Sequence, residues 1–564
     1  MTAITWVTAA SVLAVTIVGS FVRKAYVHRS KINELRKQGV AMPKGWSWFT
    51  GHLLILQKYV DKLPPDANVN LAMAELAREH HDTEIFLMDF WPVYPPLLMV
   101  YDPDAAVQVS TKYNLPKTSM HLQFMKPITG GPNLISMSDQ EWKTWRSLFN
   151  PGFSTGAMAE SVPHIVKSVQ VLEKILEEKT RQGVVFLDDL TTRMTMDVIM
   201  KLTLGADIDY QRSENALATA LGYITRWHSF WDPRVLMHPL RPFIQKYFGR
   251  IMNNLIRKEL EKRFIEIKEE TVHRELVKSE KRMVAKSVVT LAIEAYVAEN
   301  KDTDLIHKPK LEEYFARYAT YQIRLFLFAG NDTTSSTMVF VYHLLSQHPE
   351  ALKAIREEHD RVFGTDIDQA AQLLVQRPSI LSECSYTMAV IKETLRLYPP
   401  AATMRAGRSG VSLTDRNGNR YPMDYVGATI LHPAVHRNPR VWPQPHNFMP
   451  ERFLVGQEHG LFPYPPAFRP FEQGPRNCIG QTLVWNEIQI ALVLTIRKFD
   501  ITPRYEEWDA IRNIGIFERL KAKFVGEPVK TVHGDRAYQT EKAGTHPADG
   551  YPCRVSMSKW RKPS

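Results

Sequence analysis

The sequence predicts a mainly α-helical protein with a small β lobe, preceded by one transmembrane helix. Three observations carry this prediction. Residues Gln140–Phe149, Asp188–Leu204, Ile251–Arg282, Leu311–Gln347 and Ser382–Tyr398 place apolar side chains at helical spacing with charges between them. One early region breaks that rhythm: the apolar runs Ile85–Phe90 and Leu97–Tyr101, separated by the turn-forming WPVYPP, predict a β-hairpin. At the amino terminus, Ala3–Val22 carries no charge and would rise roughly 30 Å as a helix, which matches a bilayer core.

Positive charge follows that apolar run instead of preceding it. This favours an uncleaved anchor, residues 1–22, over a secretory signal, and places the rest of the chain in the cytosol. Gly39–Leu54 then combines Pro43 and helix-breaking glycines with Trp46, Trp48 and Phe49, so residues 23–48 are expected to be a basic, stiff linker near the membrane surface. In IRKELEKRFIEIKEE, opposite charges alternate three to four residues apart, which marks a solvated helix face. No repeat of fixed period and no low-complexity tract is visible.

The 564 residues, 44% of them hydrophobic, can bury a large core, and by length alone could form two to four average domains. A net charge of +11 raises the question of nucleic acid. Most of it sits at the two ends: Arg23–Lys37 contributes +5 and Gly526–Ser564 contributes +3, leaving +3 for everything else. That remainder argues against a nucleic-acid surface. Three scattered cysteines, Cys384, Cys478 and Cys553, exclude a disulfide framework or a zinc site, which need close paired spacings.

One cysteine has distinctive surroundings. Cys478 lies in FEQGPRNCIG, followed at once by the apolar helical run QTLVWNEIQIALVLTIRKF. It therefore opens onto a helix amino terminus, where the dipole and free N–H groups favour a thiolate. Upstream, Glu393 and Arg396 share one helical face in KETLR, and Pro450-Glu451-Arg452-Phe453 supplies a second arginine. AGNDTTSS, Ala329–Ser336, is a small and polar patch within a helix of Leu, Phe, Val and Met. Its hydroxyls compete for backbone carbonyls and can open a groove, although a packing seam of small residues has the same composition. Trp142 and Arg146 are one helical turn apart in EWKTWR.

Taken in this order, the motifs resemble the cytochrome P450 superfamily of haem-thiolate monooxygenases over roughly Gly39–Leu520. The match is to its haem loop, its Glu-x-x-Arg and Pro-Glu-Arg-Phe elements, its Ala-Gly-x-Asp-Thr motif and its Trp-x-x-x-Arg helix. The tail and the AGNDTTSST helix further resemble fungal secondary-metabolism members of the versicolorin and sterigmatocystin type. Glu472 departs from the small residue usual in the haem loop, and Asn331 stands where His is frequent.

The resemblance implies one catalytic domain, residues 49–525, of cytochrome P450 fold, with residues 526–564 as a C-terminal tail. It implies haem b ligated by Cys478, with Trp142, Arg146, Arg405 and Arg476 on the propionates. Asp332 and Thr333 become the acid and alcohol pair that supplies protons, and Glu393, Arg396 and Arg452 lock the structural core. Thiolate ligation favours O–O cleavage and insertion of one oxygen atom into an apolar small molecule. The segment after the core is too short for a flavin or nicotinamide domain. Electrons are thus expected from a separate NADPH-cytochrome P450 reductase, with cytochrome b5 a further candidate partner, at the endoplasmic reticulum membrane. A haem-thiolate isomerase or dehydratase acting on peroxides is the alternative, and it would not need the Asp332–Thr333 pair. Specificity is expected in Lys117–Gly131 and Leu221–Phe248, where Phe124, Trp227, Phe230 and Trp231 suggest an apolar, ring-containing substrate, though core packing explains them as well.

Overall fold

A computed structural model describes residues 3–229, 232–277, 286–299, 309–512 and 529–560. Eight helices position everything that follows: α1 (Ala3–Lys37), α2 (Asp139–Phe149), α3 (Thr155–Lys179), α4 (Leu187–Leu204), α5 (Arg241–Val277), α6 (Glu313–Gln347), α7 (Ser385–Leu397) and α8 (Gln481–Thr495). Four of the five expected helices are found within three residues of the expected bounds. The fifth, α5, starts ten residues before the expected Ile251, and the expected stretch beyond Val277 lies outside the described residues.

The core is organised around α6, which is buried continuously from Gln322 to Phe328 and from Thr334 to Leu345. Helices α4 and α7 pack on it, and α8 lies between α6 and α3. Gly330 is what allows α4 so close: a Cβ there would come within 2.7 Å of the Ile199 side chain.

Among the described residues, nine short strands make the β part: β1 (Ile85–Met88), β2 (Leu97–Val100), β3 (Val185–Phe186), β4 (Thr403–Arg405), β5 (Ser412–Thr414), β6 (Arg420–Pro422), β7 (Gly427–Ile430), β8 (Phe499–Pro503) and β9 (Pro552–Met557). The predicted hairpin is β1–β2, antiparallel with Ile85 opposite Val100. Both strands are buried throughout, so they read as continuous apolar runs. They head a four-stranded sheet ordered β1-β2-β7-β4, in which β2 and β7 run parallel. A second sheet is ordered β3-β9-β8, and β5–β6 is a separate hairpin.

Two boundaries differ from the sequence reading. Residues 23–48, expected to be a linker, remain helical to Lys37, and the end of α1 is docked on the domain. His28, Arg29 and Ile32 are buried there. Asp89 receives His28 at 2.7 Å, the Arg29 guanidinium and the Trp46 indole N–H at 2.9 Å. Residues 529–560, expected to be a tail outside the domain, are woven into it. β9 is the central strand of its sheet, Thr540 bridges to Ala67, and the Tyr538 hydroxyl donates to Asp66 at 2.7 Å. Hydrophobic periodicity could show neither, because both dockings are closed by contacts between segments far apart in sequence.

Within α1, Ala9–Lys37 is long and apolar enough to cross a membrane, and its apolar window is unburied.

Candidate active site

Cys478 occupies the loop just before α8, in a cavity of about 250 Å³ shared with Arg146, Phe153, Asn477 and Trp485. The sulfur is deep in the protein yet open to that cavity. Burial pushes the Cys478 thiol up, while the Gly480 N–H and the Arg146 guanidinium pull it down and Glu472 opposes them. A cation bound at the sulfur would tip this balance to thiolate. The loop is rigidly seated: Gly474 has φ +81°, and a Cβ there would meet the Ser110 carbonyl at 2.7 Å. Phe471 packs edge-on against Trp485, 5.1 Å between ring centres.

Arg146 is committed to this loop. Its two Nη atoms donate to the backbone and side-chain oxygens of Asn477 at 2.9 and 3.1 Å, and Nε donates to Asn150 at 2.7 Å. Trp142, one turn earlier, stacks under the Arg476 guanidinium at 4.7 Å, and Arg476 donates to the Met137 carbonyl at 2.7 Å. Arg405 is fully buried on β4, reaching the Leu115 carbonyl at 2.9 Å and Glu472 at 3.1 Å.

Sequence reasoning missed two further basic residues in this cluster. Burial pushes the Lys117 ammonium down to about 7, Arg405 and Arg476 push the same way and Glu472 opposes. His121 falls to about 3, through burial and then Lys117 and Arg405. No motif marks these two residues. Their signal is only three-dimensional: desolvated basic groups gathered around one acid, Glu472, itself held ionised against burial by Lys117 and Arg405.

That donor set tests whether haem fits. Arg405 Nε and His121 Nδ1 are buried without a hydrogen-bond partner, a costly arrangement unless an acceptor arrives. An excess of desolvated positive charge beside a cavity cysteine suits a flat ligand with two carboxylates and a thiolate-seeking metal. The residues therefore fit haem. Arg405, Arg476 and Lys117 would hold the carboxylates and Cys478 the iron.

On α6, Asn331 of the small-residue patch faces α4, accepting the Thr195 hydroxyl at 2.5 Å, so one side is a packing seam. Between Gln322 and Leu345, only Ala329, Gly330, Asp332 and Thr333 are less than fully buried, and of these Gly330 lies against Ile199 of α4. Thr333 Oγ1 donates back to the Ala329 carbonyl at 2.9 Å; Thr334 is fully buried with its hydroxyl unpartnered. Asp332 Oδ1 meets His546 Nε2 at 3.0 Å, and His546 Nδ1 meets Asp188 Oδ1 at 2.6 Å. Burial raises the Asp332 carboxyl and His546 draws it part of the way back.

Glu393, Arg396 and Arg452 come together as expected, all completely buried. Arg396 donates twice to the Glu393 carboxylate at 2.8 Å, and Arg452 Nε once at 3.1 Å. Two of the aromatic specificity candidates have aromatic partners among the described residues. Phe124 stacks on Tyr94, Trp227 packs edge-on against His238, and Phe230 and Trp231 lie outside the described residues.

Comparison with known proteins agrees with this geometry. The Cytochrome P450 family profile matches residues 42–517. Cytochrome P450 monooxygenase polC of Polytolypa hystricis is 36% identical over 97% of this chain and 95% of that protein. Cytochrome P450 monooxygenase acrF of Aspergillus aculeatus is 30% identical over 88% of this chain and 98% of its own length. Cytochrome P450 3A16 of Mus musculus is 28% identical over 78% and 82%.

Proposed function

The chain belongs to the cytochrome P450 family and is a monooxygenase, and we propose that it inserts one atom of dioxygen into an apolar small molecule of fungal secondary metabolism. In this reading a separate NADPH-dependent reductase, with cytochrome b5 as an optional second donor, supplies electrons. The catalytic domain faces the cytosol from the endoplasmic reticulum membrane, held by α1. Fungal relatives and the unburied apolar window of α1 support substrate class and site.

The observation that carries the reaction is Cys478 at the amino terminus of α8, inside a cavity and beside the cation cluster of Arg405, Arg476 and Lys117. When bound, haem supplies the oxygen-activating iron, and thiolate ligation favours O–O cleavage. The chain's own residues do the rest. Gly480 N–H and Arg146 stabilise negative charge on the Cys478 sulfur. Thr333, half-buried on α6, holds a proton at Oγ1, and Asp332 beside it is the carboxylate that replenishes protons from solvent. The surrounding buried wall of α6 excludes water elsewhere.

Turnover with reductase, NADPH and ¹⁸O₂ tests this. One labelled oxygen atom should appear in product for each substrate oxidised, and Cys478→Ser should abolish it together with the thiolate-type spectrum of the reduced, CO-bound protein. Product formed without consuming oxygen or NADPH would instead support the isomerase or dehydratase chemistry.

A further inference from the structure

Asp332 does not stand alone. Three segments far apart in sequence place Asp188 (first turn of α4), His546 (the carboxyl-terminal segment) and Asp332 (α6) in one line. The imidazole lies between the carboxylates at 2.6 and 3.0 Å. Both ring nitrogens face carboxylate oxygens, which only accept when ionised. With both carboxylates ionised, the two contacts are satisfied together only when the ring carries two protons and hence a positive charge. Asp188 sits where a helix amino terminus favours an anion, next to the 63% exposed Asp189.

The carboxyl-terminal segment also closes on Asp332 directly. Gly544 has φ +69°, and a Cβ there would lie 2.3 Å from Asp332 Oδ2. The Ser336 hydroxyl donates to the Thr545 carbonyl at 3.3 Å, tying the segment to α6 one turn beyond Asp332. Among the described residues, Asp332 Oδ2 is buried without a hydrogen-bond partner and His546 is the one group holding this carboxylate by hydrogen bond.

We propose that His546, kept cationic by Asp188, is the positioning residue that holds Asp332 ionised and oriented beside Thr333. This rests on the reading of Asp332 and Thr333 as the proton-supplying pair. Burial alone would push the ring down, yet Asp188 and Asp332 carry His546 up to about 10, so it stays charged throughout the working range. The charged groups acting on Asp332 are His546 from the carboxyl-terminal segment and Asp188 from α4; those acting on His546 are the two carboxylates. With the cation removed, burial and Asp188 both push Asp332 towards its neutral form.

The test is the pH profile of NADPH-driven oxygen consumption by the haem-loaded, full-length protein with its reductase. His546→Gln keeps a donor amide but no charge. Its acid limb should move up by about 1 to 3 pH units, the shift a close opposite charge produces, with haem content and substrate KM unchanged. Asp332→Asn should slow oxygen consumption about tenfold or more, as loss of acid–base catalysis does, and should lack that limb. Adding His546→Gln to it should change nothing further, because the two act in series. A slowed Asp332→Asn beside an unmoved His546→Gln profile overturns the role of His546. An Asp332→Asn variant with wild-type rate and profile overturns the underlying reading of Asp332. If His546→Gln fails to take up haem, Asp188→Asn decides: the ring then loses its charge below pH 10 and oxygen consumption gains an alkaline limb, and an unmoved profile refutes the proposal.

Discussion

Glu393→Gln should open the segment around Pro443–Phe453 without unfolding the domain, and the size of the effect follows from the contacts. The Glu393 carboxylate accepts four hydrogen bonds: two from Arg396, one from Arg452 and one from the Met449 N–H at 2.9 Å. All three charged side chains are fully buried, and Trp442 lies 5.1 Å from one guanidinium and 5.8 Å from the other. The amide leaves two buried guanidiniums with no counter-charge and turns its own N–H donors towards one of them. Breaking a buried pair by removing one partner costs about 3–5 kcal/mol. Here the arginines keep five backbone carbonyls, those of His436, Pro445, Asn447, Pro443 and Gln444, which argues for the lower end, about 3 kcal/mol. At about 1.4 kcal/mol per tenfold, the opened form becomes roughly 100-fold more populated. Native-state proteolysis reads that population directly when reclosing is fast relative to cleavage. Cleavage within 443–453 should accelerate by about two orders of magnitude while cleavage elsewhere holds constant. A rate within twofold of the parent would refute the claim that this network fastens the segment.

Thr333→Ala should retain haem and NADPH oxidation yet release more hydrogen peroxide, with product per NADPH falling severalfold. Thr334→Ala should leave coupling unchanged, because Thr334 is completely buried; the reverse result would exchange the two roles. The docking of residues 537–550 should weaken as pH rises. His546 goes from an ordinary 6.5 to about 10 in the folded chain, so its stabilisation is complete below 6.5 and lost on the way to 10. Amide exchange of this segment, corrected for intrinsic rates, should accelerate across that window in the parent and not in His546→Gln. Asp89→Ala removes the shared partner of His28, Arg29 and Trp46 and strands a buried guanidinium. Cleavage after α1, within Gln38–Thr50, should rise by at least tenfold, consistent with ~3 kcal/mol for a broken buried pair, and a parent-like rate would show that α1 is held by its apolar contacts.

What was legible in the sequence was whatever is local. The β1–β2 hairpin, the span of α6, the Glu393–Arg396 turn and the Cys478 loop each fit within a few tens of residues and carry their own periodicity or spacing. Contacts closed by the fold were not legible. The end of α1 looked like linker because two of the residues it buries, His28 and Arg29, are polar and register as solvent-facing in any hydrophobic pattern. The last forty residues looked like a tail because β9 finds its partners in Val185–Phe186 and Phe499–Pro503, far from it in sequence. Lys117, His121, Asp188 and His546 lie in unremarkable sequence and acquire meaning only from the charges beside them.

The same contrast shows how the two faces of the site differ electrically. On the cysteine side, Lys117, Arg405 and Arg476 surround a single acid, so the protein holds desolvated positive charge that a dicarboxylate would neutralise. On the α6 side, one imidazolium is shared by two carboxylates, leaving a net negative charge at Asp332 and Asp188. The cation cluster suits anchoring, which wants a permanent charge pair. The anionic triad suits proton supply, which wants a carboxylate kept ionised but poorly solvated. Neither imbalance is visible in the overall charge, because it arises from a handful of buried groups whereas most of the +11 lies at the chain ends. It follows that substitutions at buried charges such as Glu472 or His546 should perturb chemistry far more than removal of several lysines from the surface.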